Sequence, residues 1–124
     1  METKPEPTAA SLTLYFVVTA LNEEQNDVLD LVRRRNGEVP VDELLGSAEE
    51  HEGRVASSMA DLVTTEQADQ IAAGVVGVVR RRVSACLAEE AGDVDRILVR
   101  IRSIYRDVRS HQVREVVGAS GAAA

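Results

Sequence analysis

From Val94 to Val116 the chain places residues on one face at every third or fourth position: Val94, Ile97, Leu98, Ile101, Ile104, Tyr105, Val108, Gln112 and Val116. Gln112 is the one polar member of that series. At 100° per residue these positions fall within about a third of a helix circumference. A strand alternates with a period of two and cannot gather this spacing on one side. The segment therefore predicts an amphipathic helix over about 94–117, roughly 36 Å long at ~1.5 Å per residue. An apolar stripe of that length needs other elements to cover it, so it dictates much of the remaining fold.

Composition says what those covering elements are made of. The only aromatic residues are Tyr15, Phe16 and Tyr105. The core is thus built from Val, Leu, Ile and Ala, side chains of a size that suits helix-on-helix packing. The same scarcity excludes a platform of rings on which single-stranded bases could stack. A chain of 124 residues forms one domain and can bury a core without metal or disulfide staples.

Helix boundaries are written into the sequence with uneven clarity. Residues 1–10 read as a flexible arm and 118–124, "GASGAAA", as a loose tail, leaving 11–117 as a single helical domain. Leu14, Val18, Leu21, Val28 and Val32 keep a helical rhythm interrupted by Gln25, which favours one helix from about Ser11 to Arg35. The β-branched and aromatic content of 12–21 makes a short strand the alternative there. Asn22 with Gln25 also has the form of a capping box, and would start a helix later. Asn36-Gly37 is a left-handed stop. After Pro40, "VDELLG" (41–46) predicts a turn or two of helix, and Ser47 with Glu50 a capping box opening a helix over about 48–63. Thr64 with Gln67 is a further capping box. It opens a helix that runs to about Ala91, with Ala68, Ile71, Ala72, Val75, Val76, Val79, Val83, Cys86 and Leu87 on one arc. Gly92 ends that helix and Asp93 caps the next, so 65–117 forms a long antiparallel hairpin. The expected fold is all-α, with four or five helices. Gly74 and Gly77 lie off the apolar arc, where they either admit a neighbouring backbone or weaken the helix.

Charge divides the chain. Residues 1–53 hold 12 acids and 4 bases, residues 54–124 hold 9 acids and 10 bases, and the whole carries −7. Six arginines fall in the last helix: Arg96, Arg100 and Arg114 along one border of its apolar arc, Arg102, Arg106 and Arg109 along the other. Guanidinium groups that flank an apolar seam resemble coiled-coil e and g positions, where they select a partner by pairing with its carboxylates. Glu23, Glu24, Asp27, Asp30, Glu38, Asp42, Glu43, Glu49, Glu50 and Glu52 supply carboxylates in the acidic half. The expected interaction surface is therefore Ile97, Ile101, Ile104, Tyr105 and Val108 with these six arginines.

Motifs that carry chemistry are scarce. His51 lies in "EEHE", and His111 stands four residues before Glu115; both read as surface residues rather than metal ligands. Cys86, the single cysteine, lies on an apolar arc and reads as a small core residue in a reducing compartment. "AAGVVGVV" lacks the Lys of a phosphate loop. The apolar run "LTLYFVV" follows Glu2, Lys4 and Glu6, not the basic start of a signal peptide, and is far short of the ~20 apolar residues that span a bilayer.

Helices at 23–35, 41–46 and 48–63 have the order of a helix-turn-helix. The helix that would enter the groove begins Glu49-Glu50-His51-Glu52, and its carboxylates repel phosphates. The sequence thus points to a non-enzymatic, cytoplasmic interaction or assembly subunit with no cofactor, self-associating or docked in a larger protein complex. A DNA-binding regulator, contacting DNA through Arg80–Arg82 or the last helix, is the disfavoured alternative.

Overall fold

The computed structural model describes the backbone of residues 9–122 and the side chains of 12–114. Four helices account for most of it: α1 (Ala9–Arg34), α2 (Val41–Ser58), α3 (Thr65–Glu89) and α4 (Val94–Ala122). Residues 1–8 of the expected arm, residues 123–124 of the tail, and the side chains of Glu115 and Val116 lie outside the described residues.

Three of the predicted boundaries are made as their residues dictate. After α1, Asn36 (φ 53°) and Gly37 (φ 82°) turn into the left-handed region, and the Gly37 amide donates to Val32 O at 2.9 Å. Before α3, Thr64 Oγ1 accepts from the Gln67 amide at 3.2 Å while Gln67 Oε1 accepts from the Thr64 amide at 3.1 Å, a complete capping box. After α3, Gly92 turns left-handed (φ 82°), and the Asp93 carboxylate accepts from the Arg96 amide at 3.2 Å to start α4.

The two other capping signals are not used. Asn22 sits exposed inside α1, which runs unbroken, so neither the later start nor the N-terminal strand forms. Ser47 lies inside α2, which begins at Val41 after an extended Pro40 (φ −60°, ψ 143°) and ends at Ser58 rather than 63. The physical reason is the same in both places. Each signal falls in a stretch whose buried face continues through it, and burying that face outweighs a cap of about 1 kcal/mol. Pro at the cap position donates nothing, but Asp42 and Glu43 in the first turn of α2 complement the helix dipole. Merging 41–46 with 48–58 also removes the short helix on which the helix-turn-helix reading depended.

Connections of four to six residues make successive helices antiparallel. α1 packs on α2 and α4, and α3 packs on α2 and α4; α1 and α3 lie diagonally across the bundle, as do α2 and α4. The result is an up-down-up-down four-helix bundle closed by the α1–α4 contact. Its core is aliphatic: Val17, Leu21, Val28 and Val32 from α1, Leu44 and Val55 from α2, Ala72, Val76, Val79 and Val83 from α3, and Ile97, Ile101 and Val108 from α4. Met59, just after α2, and Cys86 are also fully enclosed. Gly74 and Gly77 face outward, and a Cβ on Gly74 would meet nothing within 4 Å. No neighbouring backbone comes close to either, so the close-approach reading of these glycines does not hold.

Candidate functional site

The stripe expected to receive a partner is already covered. Ile97, Ile101, Ile104, Tyr105 and Val108 are all buried by the chain's own helices. α1 presents Val17, Leu21, Val28 and Val32 to α4, and α3 closes the other flank. The other three helices bury this stripe, so it is the core of the domain and is closed to a docking partner in the folded chain.

The arginines bordering it divide into four groups. Arg100 donates to Glu89 at 2.7 Å and lies 3.5 Å from Glu90, and Arg96 lies 3.7 Å from Glu90, all across the α3–α4 turn. Arg109 donates to Gln25 Oε1 of α1 at 2.6 Å. Arg106 reaches only Ser103 (2.9 Å) and Asp107 (3.8 Å) of its own helix. Arg102 and Arg114 are exposed and make no side-chain hydrogen bond or ion pair among the described residues. Among the described residues none of the six pairs with a carboxylate from the acidic half. Two acids of that half pair with arginines elsewhere, Glu43 with Arg35 at 2.8 Å and Asp27 with Arg54 at 2.9 Å, and those on α2 lie diagonally across the bundle from α4.

Beside Arg102 and Arg106 stand two exposed valines, Val99 (62 % exposed) and Val113 (42 % exposed). Val99, Arg106 and Val113 recur at seven residues, with Arg102 between the first two. The side of α4 turned away from the core thus carries a second stripe, basic with apolar ends. The sequence signal for it was the placing of Val99 and Val113 two heptads apart, outside the main apolar arc, with Arg106 midway between them.

A polar cluster crosses the interior, and the sequence pattern hid it. Glu24 of α1 and His51 of α2 are each only 3 % exposed. His51 Nδ1 lies 3.5 Å from Glu24 Oε1 and 3.5 Å from Ser47 Oγ, and its Nε2 lies 3.3 Å from Asp27 Oδ2. Burial depresses the His51 pKa, but Glu24 and then Asp27 outweigh it and hold the imidazole above the ordinary histidine value. Asp27 is raised by burial, but Arg54 and His51 pull it below the ordinary aspartate value. Tyr105 of α4 completes the group. Burial, then the charge of Glu24, push its phenol far above the ordinary value. The phenol is near enough to feel that charge, yet the pair falls short of hydrogen-bond geometry: Glu24 Oε2 and the Tyr105 hydroxyl are buried with no partner. Arg80 of α3 lines the same small cavity, so all four helices meet there.

Ser47, His51 and Asp27 have the order of a nucleophile, base and acid, but not the chemistry. Both ring nitrogens face carboxylates, so the imidazolium has no lone pair with which to take the Ser47 proton. Ser47 lies in mid-helix, where backbone N–H groups are committed to the ladder and cannot form an oxyanion hole. His111 is exposed and lines a cleft of about 330 Å³ between α3 and α4, apart from His51. Among the described residues no three His, Cys, Asp or Glu side chains are placed to hold a metal ion. Burial raises the Cys86 thiol pKa, with Arg100 opposing, so the thiol is a poor nucleophile. No described helix is long and apolar enough to cross a membrane. Comparison with protein-family models, with curated proteins and with solved structures finds no match to this chain.

Proposed function

We propose that this protein is a non-enzymatic assembly subunit that self-associates through the outward side of α4. The observation that carries this reading is the pair Arg102 and Arg106, exposed between Val99 and Val113, with no carboxylate offered by any other helix among the described residues. Solvated arginines alone mean little. Arginines set between exposed aliphatic side chains, with Arg106 at heptad spacing from both valines, have the composition of a protein contact: apolar area for affinity and planar cations for partner choice. The aliphatic interior and the imidazolium without a free lone pair favour a structural role over a catalytic one. A buried, reduced Cys86 fits a cytoplasmic setting or an intracellularly assembled particle.

The test is the solution mass of the 13.4 kDa chain by light scattering, from micromolar to millimolar, at physiological and at high salt. The expected result is a mass above the monomer that falls as salt rises and falls to the monomer in Arg102→Ala/Arg106→Ala. Equal masses for that variant and the wild type overturn the reading. So does a wild type that stays monomeric throughout but retards duplex DNA in a strongly salt-dependent way, which moves the arginines to phosphate binding.

A further inference from the structure

The basic stripe of α4 has a counterpart on the same chain. On the outward side of α2, Asp42 and Glu49 are exposed and enter no ion pair among the described residues, Glu50 is exposed and feels only the charge of Arg54, and Val41 (71 % exposed) and Leu45 (39 % exposed) stand on the same helix. Asp42 and Glu49 are seven residues apart, the interval that separates Val99, Arg106 and Val113. Each side therefore offers an excess of one charge next to exposed aliphatic groups, along a helix face that a crossing helix can follow; on α4 the arginines stand with two exposed acids, Asp95 seven residues before Arg102 and Asp107 at 3.8 Å from Arg106. Gly46 and Gly53 lie on that side of α2 too, and a Cβ on either would meet nothing within 4 Å, so an approaching helix finds no bulk in its way.

We infer that the partner of the α4 stripe is the acidic outward side of α2 on a second copy of this chain, joined head to tail. This rests on the assembly reading above. Three physical points lead to it. An α4-on-α4 contact sets arginine against arginine, and an α2-on-α2 contact sets carboxylate against carboxylate; both repel. The α4-on-α2 contact is the complementary one. Within one chain the two helices are diagonal, so a subunit cannot satisfy its own stripe. The two surfaces look away from each other, so they engage two different neighbours. Such a contact is heterologous, and repeating it gives a ring or an open filament rather than a closed two-fold dimer.

The net charge of −7 acts against this at a distance. At physiological salt the Debye length is about 8 Å, which screens whole subunits from each other but leaves contact-distance pairs largely intact. Association is therefore strongest at intermediate salt and weakens both at very low and at high ionic strength.

The polarity of the contact gives a discriminating experiment. One variant, Arg102→Ala/Arg106→Ala, loses the basic side; another, Glu49→Ala/Glu50→Ala, loses the acidic side. All four positions are exposed, so circular dichroism should match the wild type. At physiological salt the wild-type mass rises with concentration past the dimer. Each variant alone is monomeric. Their equimolar mixture forms a dimer and stops there, because one unaltered α4 meets one unaltered α2 and no complementary pair is left. Arg102→Lys/Arg106→Lys keeps at least part of the association. If the acidic-side variant assembles like the wild type while the basic-side variant does not, the inference falls and the assembly reading stands. If neither variant differs from the wild type, or the wild type is monomeric at every concentration, the assembly reading falls with it.

Discussion

His51 shows how one residue can be misplaced by its neighbours in sequence. In "EEHE" it reads as surface, yet it is 3 % exposed and held between Glu24 and Asp27 of another helix. The hidden signal was positional. Leu44, Ala48, His51 and Val55 keep the spacing of a core face, as do Val17, Leu21, Glu24 and Val28, with one ionisable residue in each series. An ionised group at such a position is tolerated only if paired, and the two here pair with each other. The arrangement sets a sign for stability against pH. Folding raises the His51 pKa above 6.5, so its contribution is complete below that value and is lost as pH rises through the higher folded value. Folding lowers Asp27 below 3.8, so its contribution holds above that value and is lost as pH falls through the lower one. His51→Gln should then destabilise the bundle by roughly 3 kcal/mol at about pH 6, where it leaves Glu24 buried without its counter-ion. The gap between wild type and variant should narrow by about pH 9. Urea titrations at the two pH values measure both numbers, and a gap that is constant or widens would refute this assignment of charge.

Among the elements, those with a local cause were legible and those decided by packing were not. The Thr64 capping box, the Asn36-Gly37 stop and the Gly92-Asp93 junction depend on two to four adjacent residues, and each is formed. The arc of α3 was legible too, since Ala68, Ala72, Val75, Val76, Val79, Val83 and Cys86 all lie inside. Asn22-Gln25 and Ser47-Glu50 have equally good local chemistry, but a continuous buried face runs through them and the helices do not break. A cap is decided by its neighbours, and a helix by what covers it. The two left-handed glycines separate these influences. Gly37 and Gly92 share φ 82°, but a Cβ on Gly37 would stand 3.2 Å from Val94 Cγ2 and 3.3 Å from Ile97 Cδ1, whereas one on Gly92 would meet nothing within 4 Å. Gly92→Ala should cost about 1–2 kcal/mol, the backbone strain alone. Gly37→Ala should cost more, because the α1–α2 turn must also move off the start of α4. Thermal midpoints of the two variants decide the matter, and equal losses would mean that the turn yields freely.

At the scale of the molecule, α4 has two sides with opposite fates, and periodicity alone could not say which was which. An amphipathic helix must bury its stripe, but the sequence does not state whether the cover is the same chain or another. The answer depends on whether three other helices close around it, which is a property of topology. Here they do, and the association proposed above falls to the weaker side. Two substitutions of the same kind on the same helix separate the roles. Ile101 is fully buried among the helices, and Ile101→Asp places a carboxylate there with no cation or donor to meet it. An uncompensated buried charge costs several kcal/mol, a large part of the ~5–15 kcal/mol that holds a domain of this size together. The variant should be largely unfolded at room temperature, with loss of helical circular dichroism. Val99 is 62 % exposed, and Val99→Asp should shift folding stability by no more than about 0.5 kcal/mol, as surface changes do. It should nonetheless weaken self-association, since it removes an apolar anchor and sets a carboxylate beside Arg102. A folded Val99→Asp protein that assembles as the wild type does would show that the contact lies elsewhere. An Ile101→Asp protein that keeps its full helicity as a monomer would show that the stripe on the inner side of α4 is not what closes the bundle.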